Sequence, residues 1–172
     1  MEMIDLYDAD RVRLGKLAEK EAKMKKGEFR MVVHICVINS KGQLLIQQRS
    51  STKKNFPNVW DLTLGGNVQA GENARMAAQR ELEEELGLKV DFSEIRPLYT
   101  FNFKEGFDDM FVIEKDVKAS DIKFVDGEVQ AVKWATREEI LSLIEQKKFI
   151  QYFPSIINLI FDTYKTKNAF NV

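Results

Sequence analysis

Three glutamates fall in one segment of the chain at a spacing that suits metal binding. Glu81, Glu84 and Glu85 lie in a segment that the sequence predicts to be helical over 73–86. A rotation of about 100° per residue places the three carboxylates within about one third of the helix circumference, while Glu83 points elsewhere. Like charges on one face repel and raise each other's pKa, and a divalent cation relieves that repulsion. An all-oxygen ligand set suits Mg²⁺, with Mn²⁺ as a substitute, rather than zinc.

The position of these glutamates is unfavourable for the helix itself. Glu81 and Glu85 are four residues apart, so their repulsion costs about 0.2–0.5 kcal/mol. Carboxylates near a helix C-terminus also oppose the helix dipole. A departure from local rules without visible compensation is where function should be sought. On these residues alone, the competing interpretation is an ordinary solvated acidic face.

A wider pattern surrounds the acidic residues and decides between the two interpretations. It consists, in order, of Gly66, Glu72, Arg80, Glu81, Leu82, Glu84, Glu85, Gly87 and Leu88. These residues match every position of the Nudix box, here at 66–88, and the sequence therefore resembles the Nudix hydrolases. The resemblance implies an α/β fold in which a mixed β-sheet is sandwiched between helices (α/β/α). It also implies one Nudix domain over 1–172, with an N-terminal extension over 1–28.

The resemblance implies a role for each matching residue. The implied metal ligands are Glu81, Glu84, Glu85 and the main-chain carbonyl of Gly65. Glu72 would pair with Arg80 and hold the preceding loop against the helix. Family members hydrolyse a diphosphate joined to another moiety, by water attack at phosphorus. Bound metal suits this chemistry because it neutralises phosphate charge and activates water. Glu84 and Glu85 are both available as the general base, and the resemblance leaves that choice open.

The segment before the box resembles one branch, the isopentenyl-diphosphate isomerase-like Nudix proteins. Residues 41–72 share a hairpin, an arginine, a lysine pair, an aromatic-proline pair and a tryptophan with that branch. The resemblance implies that Arg49 and Lys53 hold the diphosphate of the substrate. Lys54 would complete a basic cradle, since guanidinium and ammonium groups both bind phosphate. The alternative is that these are ordinary surface charges on a hairpin loop.

The isomerase chemistry does not carry over with the resemblance. That enzyme uses a cysteine where this chain has Gly65, and it holds a metal largely with three histidines. His34 is the only histidine of this chain, and Cys36 its only cysteine. Both lie in a predicted buried strand, so we expect a structural thiol and a structural or cleft-lining imidazole.

Two weaker candidates lie further along the chain. Glu128 occupies a position where many Nudix proteins carry a glutamate before a late strand. It is a candidate additional ligand or base, against the alternative of a solvated strand end. Asp108 and Asp109 precede a strand that faces the same cleft in the family, so Asp109 in particular is a candidate for binding metal or substrate.

Hydrophobic periodicity predicts the elements that position these residues. A small hairpin is expected over 2–18, followed by a charged solvated helix or linker over 19–30. A polar loop is expected over 50–59. The predicted strands span 31–38, 43–49, 60–64, 96–103, 110–116 and 128–134. The predicted helices span 73–86, 138–146 and 155–165, and Gly87 is expected to end the first of them.

Composition limits the kind of protein and its partners. The 172 residues carry 26 basic and 27 acidic side chains, a net charge of −1. This balance gives no basic field for a nucleic-acid polymer or an anionic membrane. No apolar run is long enough to span a bilayer, and no signal peptide is recognisable. We therefore expect a soluble cytoplasmic protein with a small-molecule diphosphate substrate. A homodimer is an open expectation, because such dimers are common but no segment specifies one.

Three functional hypotheses follow from the sequence. The first is a metal-dependent hydrolase that cleaves the diphosphate linkage of a nucleoside diphosphate derivative or another organic diphosphate. The second is an isopentenyl-diphosphate delta-isomerase-like enzyme. The third is a non-catalytic Nudix module that binds a nucleotide, although such modules usually lose box glutamates and none is lost here.

Overall fold

An N-terminal hairpin precedes the main sheet in the computed structural model, which describes residues 2–123 and 127–167. Strands β1 (Met3–Tyr7) and β2 (Arg13–Glu19) pair antiparallel and form a separate two-stranded sheet. The predicted hairpin is therefore confirmed within the described residues, which leave out Met1. The charged segment that follows consists of turns rather than a helix, and it leads directly into the next strand.

In the part of the chain that the structure describes, a mixed sheet of seven strands forms the centre of the protein. Its strands are β3 (Arg30–Ile38), β4 (Leu44–Arg49), β5 (Trp60–Asp61), β6 (Leu64–Asn67), β7 (Tyr99–Phe103), β8 (Gly106–Glu114) and β9 (Val129–Ala135). Strand β3 pairs in parallel with β8 and antiparallel with β4 and β6. Its apolar side chains face both layers, and those of Val33 and of residues 35–38 are fully buried, as expected of a strand in the middle of a sheet.

The sheet splits where β3 and β4 diverge. These two strands pair only at Ile38 and Leu44, after which β6 continues along β3 and β5 along β4. Thr63 lies at the split and is fully buried. Its hydroxyl accepts from the amide of Val37 at 2.9 Å and donates to the carbonyl of Leu45 at 2.5 Å. The single strand predicted over 60–64 is therefore wrong: a side chain replaces the backbone pairing there, and two short strands result.

Two other strand predictions need new boundaries. The segment predicted as a strand over 96–103 pairs only from Tyr99, and Pro97 before it has no N–H to donate to a ladder. The strand predicted over 110–116 begins earlier, at Gly106. A Cβ at Gly106 would lie 2.1 Å from the carbonyl oxygen of Arg30, so only glycine allows this close start.

Within residues 2–123 and 127–167, three α-helices cover the two faces of the sheet. They are α1 (Ala74–Leu86), α2 (Arg137–Glu145) and α3 (Pro154–Thr163). Helix α1 packs its buried Ala77 and Leu82 on one face, whereas Ile140 of α2 and Ile157 of α3 pack on the other. The predicted α/β/α arrangement is therefore confirmed. A short 3-10 helix at Ala119–Asp121 precedes β9.

Candidate active site

Helix α1 carries the acidic residues between two defined ends. The side chain of Asn73 caps its start by accepting from the amide of Met76 at 3.0 Å. Gly87 ends it with φ of 65°, the left-handed conformation that the sequence predicts there. No basic residue occupies the last turn, so nothing in that turn offsets the negative charges on the helix.

Two glycines of β6 bring the backbone against the carboxylates. A Cβ at Gly66 would lie 2.1 Å from the carboxyl carbon of Glu81, so the carboxylate occupies the space of a missing side chain. A Cβ at Gly65 would lie 2.7 Å from the ring of His34 on the other face of the strand. Strand β6 is thus enclosed between Glu81 and His34, and no larger residue fits at either glycine.

Arg80 links the box residues to one another. Its guanidinium contacts both carboxylate oxygens of Glu72, at 2.8 and 3.0 Å. The same group reaches Glu81 at 2.8 Å, Glu84 at 3.0 Å and the main-chain carbonyl of Asn67 at 3.0 Å. The structure therefore brings Glu72 and Arg80 together, as the resemblance implies, and Arg80 also donates hydrogen bonds to two of the candidate metal ligands.

Glu85 is the most perturbed carboxyl group of the site. Burial raises its pKa to about 8, and the charges of Glu81 and Glu128 act in the same direction. Burial also raises the pKa of Glu81, although Arg80 opposes that shift. Glu128 pairs with Lys53, their charged atoms 2.6 Å apart. Two buried carboxyl groups therefore stand close together without enough positive charge to balance them.

These residues line a polar cleft of about 340 Å³. Its acidic members are Glu2, Glu21, Glu81, Glu84, Glu85 and Glu128. Its basic members are Lys20, Lys53 and Arg80, and the backbone of β6 contributes Gly65, Gly66 and Asn67. A mixture of carboxylates and cations around one cleft suits a ligand that carries both metal ions and phosphate groups.

The donor set fits Mg²⁺ or Mn²⁺ by its chemistry. Glu81, Glu84, Glu85 and the carbonyl of Gly65 are all oxygen donors, which hard divalent cations prefer. Among the residues that the structure describes, however, no three His, Cys, Asp or Glu side chains stand in an arrangement that holds a metal ion. Glu81 and Glu84 both bond to Arg80 instead. Burial raises the pKa of Glu85, and a bound cation would instead favour its ionised form.

The three cations predicted to bind substrate do not share one position. Lys53 lines the carboxylate cleft. Arg49 does not line the cleft. Its guanidinium contacts Asp61 at 3.5 Å and the carbonyl of Asn55 at 3.1 Å. Lys54 is exposed and is not among the residues that line the cleft. Of the three residues predicted to bind the diphosphate, the structure therefore brings only Lys53 to the cleft.

Asp109 is not among the residues that line the carboxylate cleft. It is buried and accepts hydrogen bonds from Arg11 at 2.7 Å and from Thr100 at 2.6 Å. The structure therefore does not bring Asp109 to the cleft; Arg11 at the tip of the hairpin pairs with it instead. Its neighbour Asp108 points to the opposite face of β8 and bonds to His34.

His34 belongs to a polar network behind Gly65. Its ring bonds to Asp108 at 2.8 Å and to the hydroxyl of Tyr152 at 3.3 Å, and Tyr152 donates to Asp61 at 3.0 Å. Burial lowers the pKa of His34, but the hydrogen bond and charge of Asp108 outweigh burial and raise it overall. The ring fills the space that a cysteine at position 65 would need, so the structure also argues against the isomerase residue there.

Cys36 is fully buried between the sheet and the α2–α3 layer, as expected of a structural thiol. Burial raises its pKa well above the ordinary value. The thiol is therefore neutral and enclosed, and it takes no part in the cleft.

Sequence reasoning missed three cleft residues at the base of the hairpin. Glu2, Lys20 and Glu21 line the cleft, and Lys20 pairs with Glu2 at 2.6 Å. Lys20 and Glu21 lie in the charged segment that was expected to be solvated. The composition of this segment does not indicate a functional site. The pairing of β1 with β2 brings the segment to the cleft.

Comparison with known proteins identifies the family. A model of the NUDIX domain matches residues 28–153. An uncharacterized Nudix hydrolase of Listeria monocytogenes is 41% identical over 169 residues, which cover 98% of this chain and 97% of that protein. The chain therefore belongs to the Nudix hydrolases, enzymes that act on acid anhydrides and generally cleave pyrophosphate bonds in nucleotide derivatives.

A solved structure supports the same conclusion for the fold. A crystal structure of a Deinococcus radiodurans protein superimposes with a TM-score of 0.76 at 27% identity, covering 92% of this chain and 98% of that chain. The predicted Nudix fold is confirmed. A Photorhabdus laumondii isopentenyl-diphosphate delta-isomerase is 30% identical over 110 residues, 64% of this chain and 62% of that enzyme. In the described part of the chain, no helix is long and apolar enough to cross a membrane.

Proposed function

We propose that this enzyme is a metal-dependent hydrolase that cleaves the diphosphate linkage of a nucleoside diphosphate derivative or another organic diphosphate. The observation that carries the proposal is the enclosure of Glu81 and Glu85, both buried, in one cleft with Glu84, Glu128 and Lys53. Carboxylates buried this close together are stabilised by a cation, and Lys53, which pairs with Glu128 in this structure, can also bind a phosphate oxygen.

Each residue has a role that follows from its position. Glu81, Glu84, Glu85 and the carbonyl of Gly65 would hold Mg²⁺ or Mn²⁺. The bound ion supplies positive charge at the phosphate oxygens and acidifies water. Lys53 binds a phosphate oxygen, and Arg80 keeps Glu72 and the helix in register. Glu84 or Glu85 takes the proton of the attacking water, and Glu128 is a further ligand or base beside Glu85.

The test compares two glutamates one residue apart. Glu84→Gln keeps the side-chain size but removes a charge from the cleft, so we expect turnover to fall by about 10²–10⁴-fold. Glu83→Gln is the matched control, because Glu83 points away and pairs with Lys89 at 3.0 Å on the surface. Phosphate or monophosphate release is measured over a panel of diphosphate compounds with and without Mg²⁺, together with the thermal midpoint of each variant.

The outcomes separate the competing functions. Near-normal turnover in Glu84→Gln, at an unchanged thermal midpoint, would show that the site is wrongly assigned. The isomerase alternative draws support from the sequence similarity of the Photorhabdus enzyme. It predicts solvent deuterium in isopentenyl diphosphate without phosphate release. Tight binding of a panel compound without turnover would favour the non-catalytic module.

A further inference from the structure

The N-terminal hairpin lies outside the part of the chain that the family model matches, which begins at residue 28. It is nevertheless fixed to the protein through its core. Ile4 is fully buried and Tyr7 nearly so, and Tyr7 forms an isolated bridge with Phe29. At the tip, Arg11 binds Asp109 at 2.7 Å. A segment held at both ends in this way is a rigid part of the molecule.

The hairpin also contacts the loop that joins β6 to α1. The amide of Ala70 donates to the carbonyl of Met3 at 2.8 Å, and Ile4 forms a bridge with Gln69. The carboxylate of Asp5 accepts from the amide of Gly71 at 2.8 Å. The loop therefore pairs with β1 almost as an additional strand would.

Arg13 on the second strand completes the attachment. Its guanidinium donates to the main-chain carbonyl of Glu72 and lies 3.4 Å from the carboxylate of Asp5. Gly71 between these anchors has φ of 86°, a conformation that favours glycine. The turn before Glu72 is thus held on both sides by hairpin side chains.

Glu72 transmits this restraint to the catalytic helix. Both of its carboxylate oxygens bind Arg80, and Arg80 in turn binds Glu81 and Glu84. A shift of the loop would therefore move the guanidinium that sets the positions of two candidate ligands. Outer partners of this kind matter because small displacements of ligands weaken both metal binding and turnover.

We propose that the N-terminal hairpin is a positioning element of the active site, and that Asp5 and Arg13 are its positioning residues. They act through the backbone at 71–72, then Glu72 and Arg80, and neither touches the substrate. The inference rests on the proposed hydrolase function for its kinetic consequences, but the mechanical link between hairpin and loop does not depend on it.

The test uses two substitutions at one position. Asp5→Ala removes the acceptor for the Gly71 amide, whereas Asp5→Asn keeps an acceptor oxygen and removes only the charge. We expect Asp5→Ala to weaken Mn²⁺ binding and lower kcat by roughly tenfold each, with a smaller change in KM. Asp5→Asn should restore most of both. Lys16→Gln serves as a control, since Lys16 lies on the same hairpin but pairs with Glu28.

Two readouts do not require turnover. Mn²⁺ affinity is measured by calorimetry, and amide hydrogen exchange of residues 69–72 is measured by mass spectrometry. Faster exchange of this loop in Asp5→Ala, but not in Asp5→Asn or Lys16→Gln, supports the proposal. Unchanged exchange, Mn²⁺ affinity and kcat in Asp5→Ala would overturn it, even if the thermal midpoint fell. A wild-type enzyme that leaves every diphosphate intact would instead refute the proposed function, and the loop exchange would still test the hairpin.

Discussion

Gly66 has no side chain, and the carboxylate of Glu81 occupies the space where one would be. Arg80 then reaches Glu72, Glu81 and Glu84 at hydrogen-bonding distance. At the scale of single residues, the positions of the carboxylates therefore depend on the missing Cβ of Gly66 and on the guanidinium of Arg80, which three glutamates share. The Nudix box contains a glycine and an arginine at these positions. The structure shows the contacts with the glutamates for which these two residue types are needed.

Gly66→Ala tests the close approach of β6 to the helix. The new methyl group would lie 2.1 Å from the carboxyl carbon of Glu81, so the carboxylate must move. We expect kcat/KM and Mn²⁺ affinity to fall by about 10–100-fold, because a displaced ligand weakens the whole site. Steady-state kinetics and calorimetry on the purified variant measure both.

A second glycine provides the control for this variant. Gly27 has φ of 84° with nothing within 4 Å of its would-be Cβ. Gly27→Ala should cost about 1–2 kcal/mol of stability through its left-handed backbone and leave activity unchanged. Equal activity of Gly66→Ala and wild type would show that Glu81 does not need its present position.

Elements show where sequence patterns succeed and where they fail. The helix over 73–86 and the central strand over 31–38 follow from periodicity and from runs of β-branched residues, both of which are local properties. The division of 60–64 into β5 and β6 was missed because it depends on Thr63 bonding to two strands at once. The sequence did not predict that the turns after β2 line the cleft, because a run of charged residues does not show which other segment it contacts.

The burial of β3 predicts the reactivity of Cys36. Its thiol is fully buried and burial raises its pKa, so the native protein should react with Ellman's reagent only through unfolding. We expect no labelling of the native protein and one labelled thiol per chain in denaturant. The absorbance of the released thiolate measures the labelling. The variant Cys36→Ser sets the background. Rapid labelling of the native protein would contradict the placement of β3 at the centre of the sheet.

The whole molecule consists of a family domain with a hairpin fixed to it. The sheet supplies Gly65 and Gly66, α1 supplies the glutamates, and the segment after β2 supplies Lys20 to the same cleft. Charged groups also pair between segments of this assembly, and the pair of Glu72 and Arg80 joins the loop before α1 to the helix.

The pH dependence of unfolding tests that pair. Burial acts to raise the pKa of Glu72, but the hydrogen bonds and charge of Arg80 outweigh it and hold the pKa below its ordinary value of 4.5. A folded-state pKa below the unfolded value adds stability above 4.5, which is lost as the pH falls through the folded value. Relative to Glu72→Gln, the wild type should therefore lose its advantage in acid. Urea unfolding from neutral pH to pH 3 measures this difference, and a difference that stays constant would contradict it.

The sequence by itself determined the helix and the face that its three glutamates share, and the resemblance that it carries implied the pairing of Glu72 with Arg80. These depend on residues at most 22 positions apart, from Gly66 to Leu88, and the pitch of one helix fixes most of their relative angles. Only the tertiary structure decided that Asp109 turns to Arg11, that Lys20 enters the cleft and that Asp5 holds Gly71, 66 positions away. Such contacts depend on strand register and on how the hairpin packs, and no local spacing encodes either.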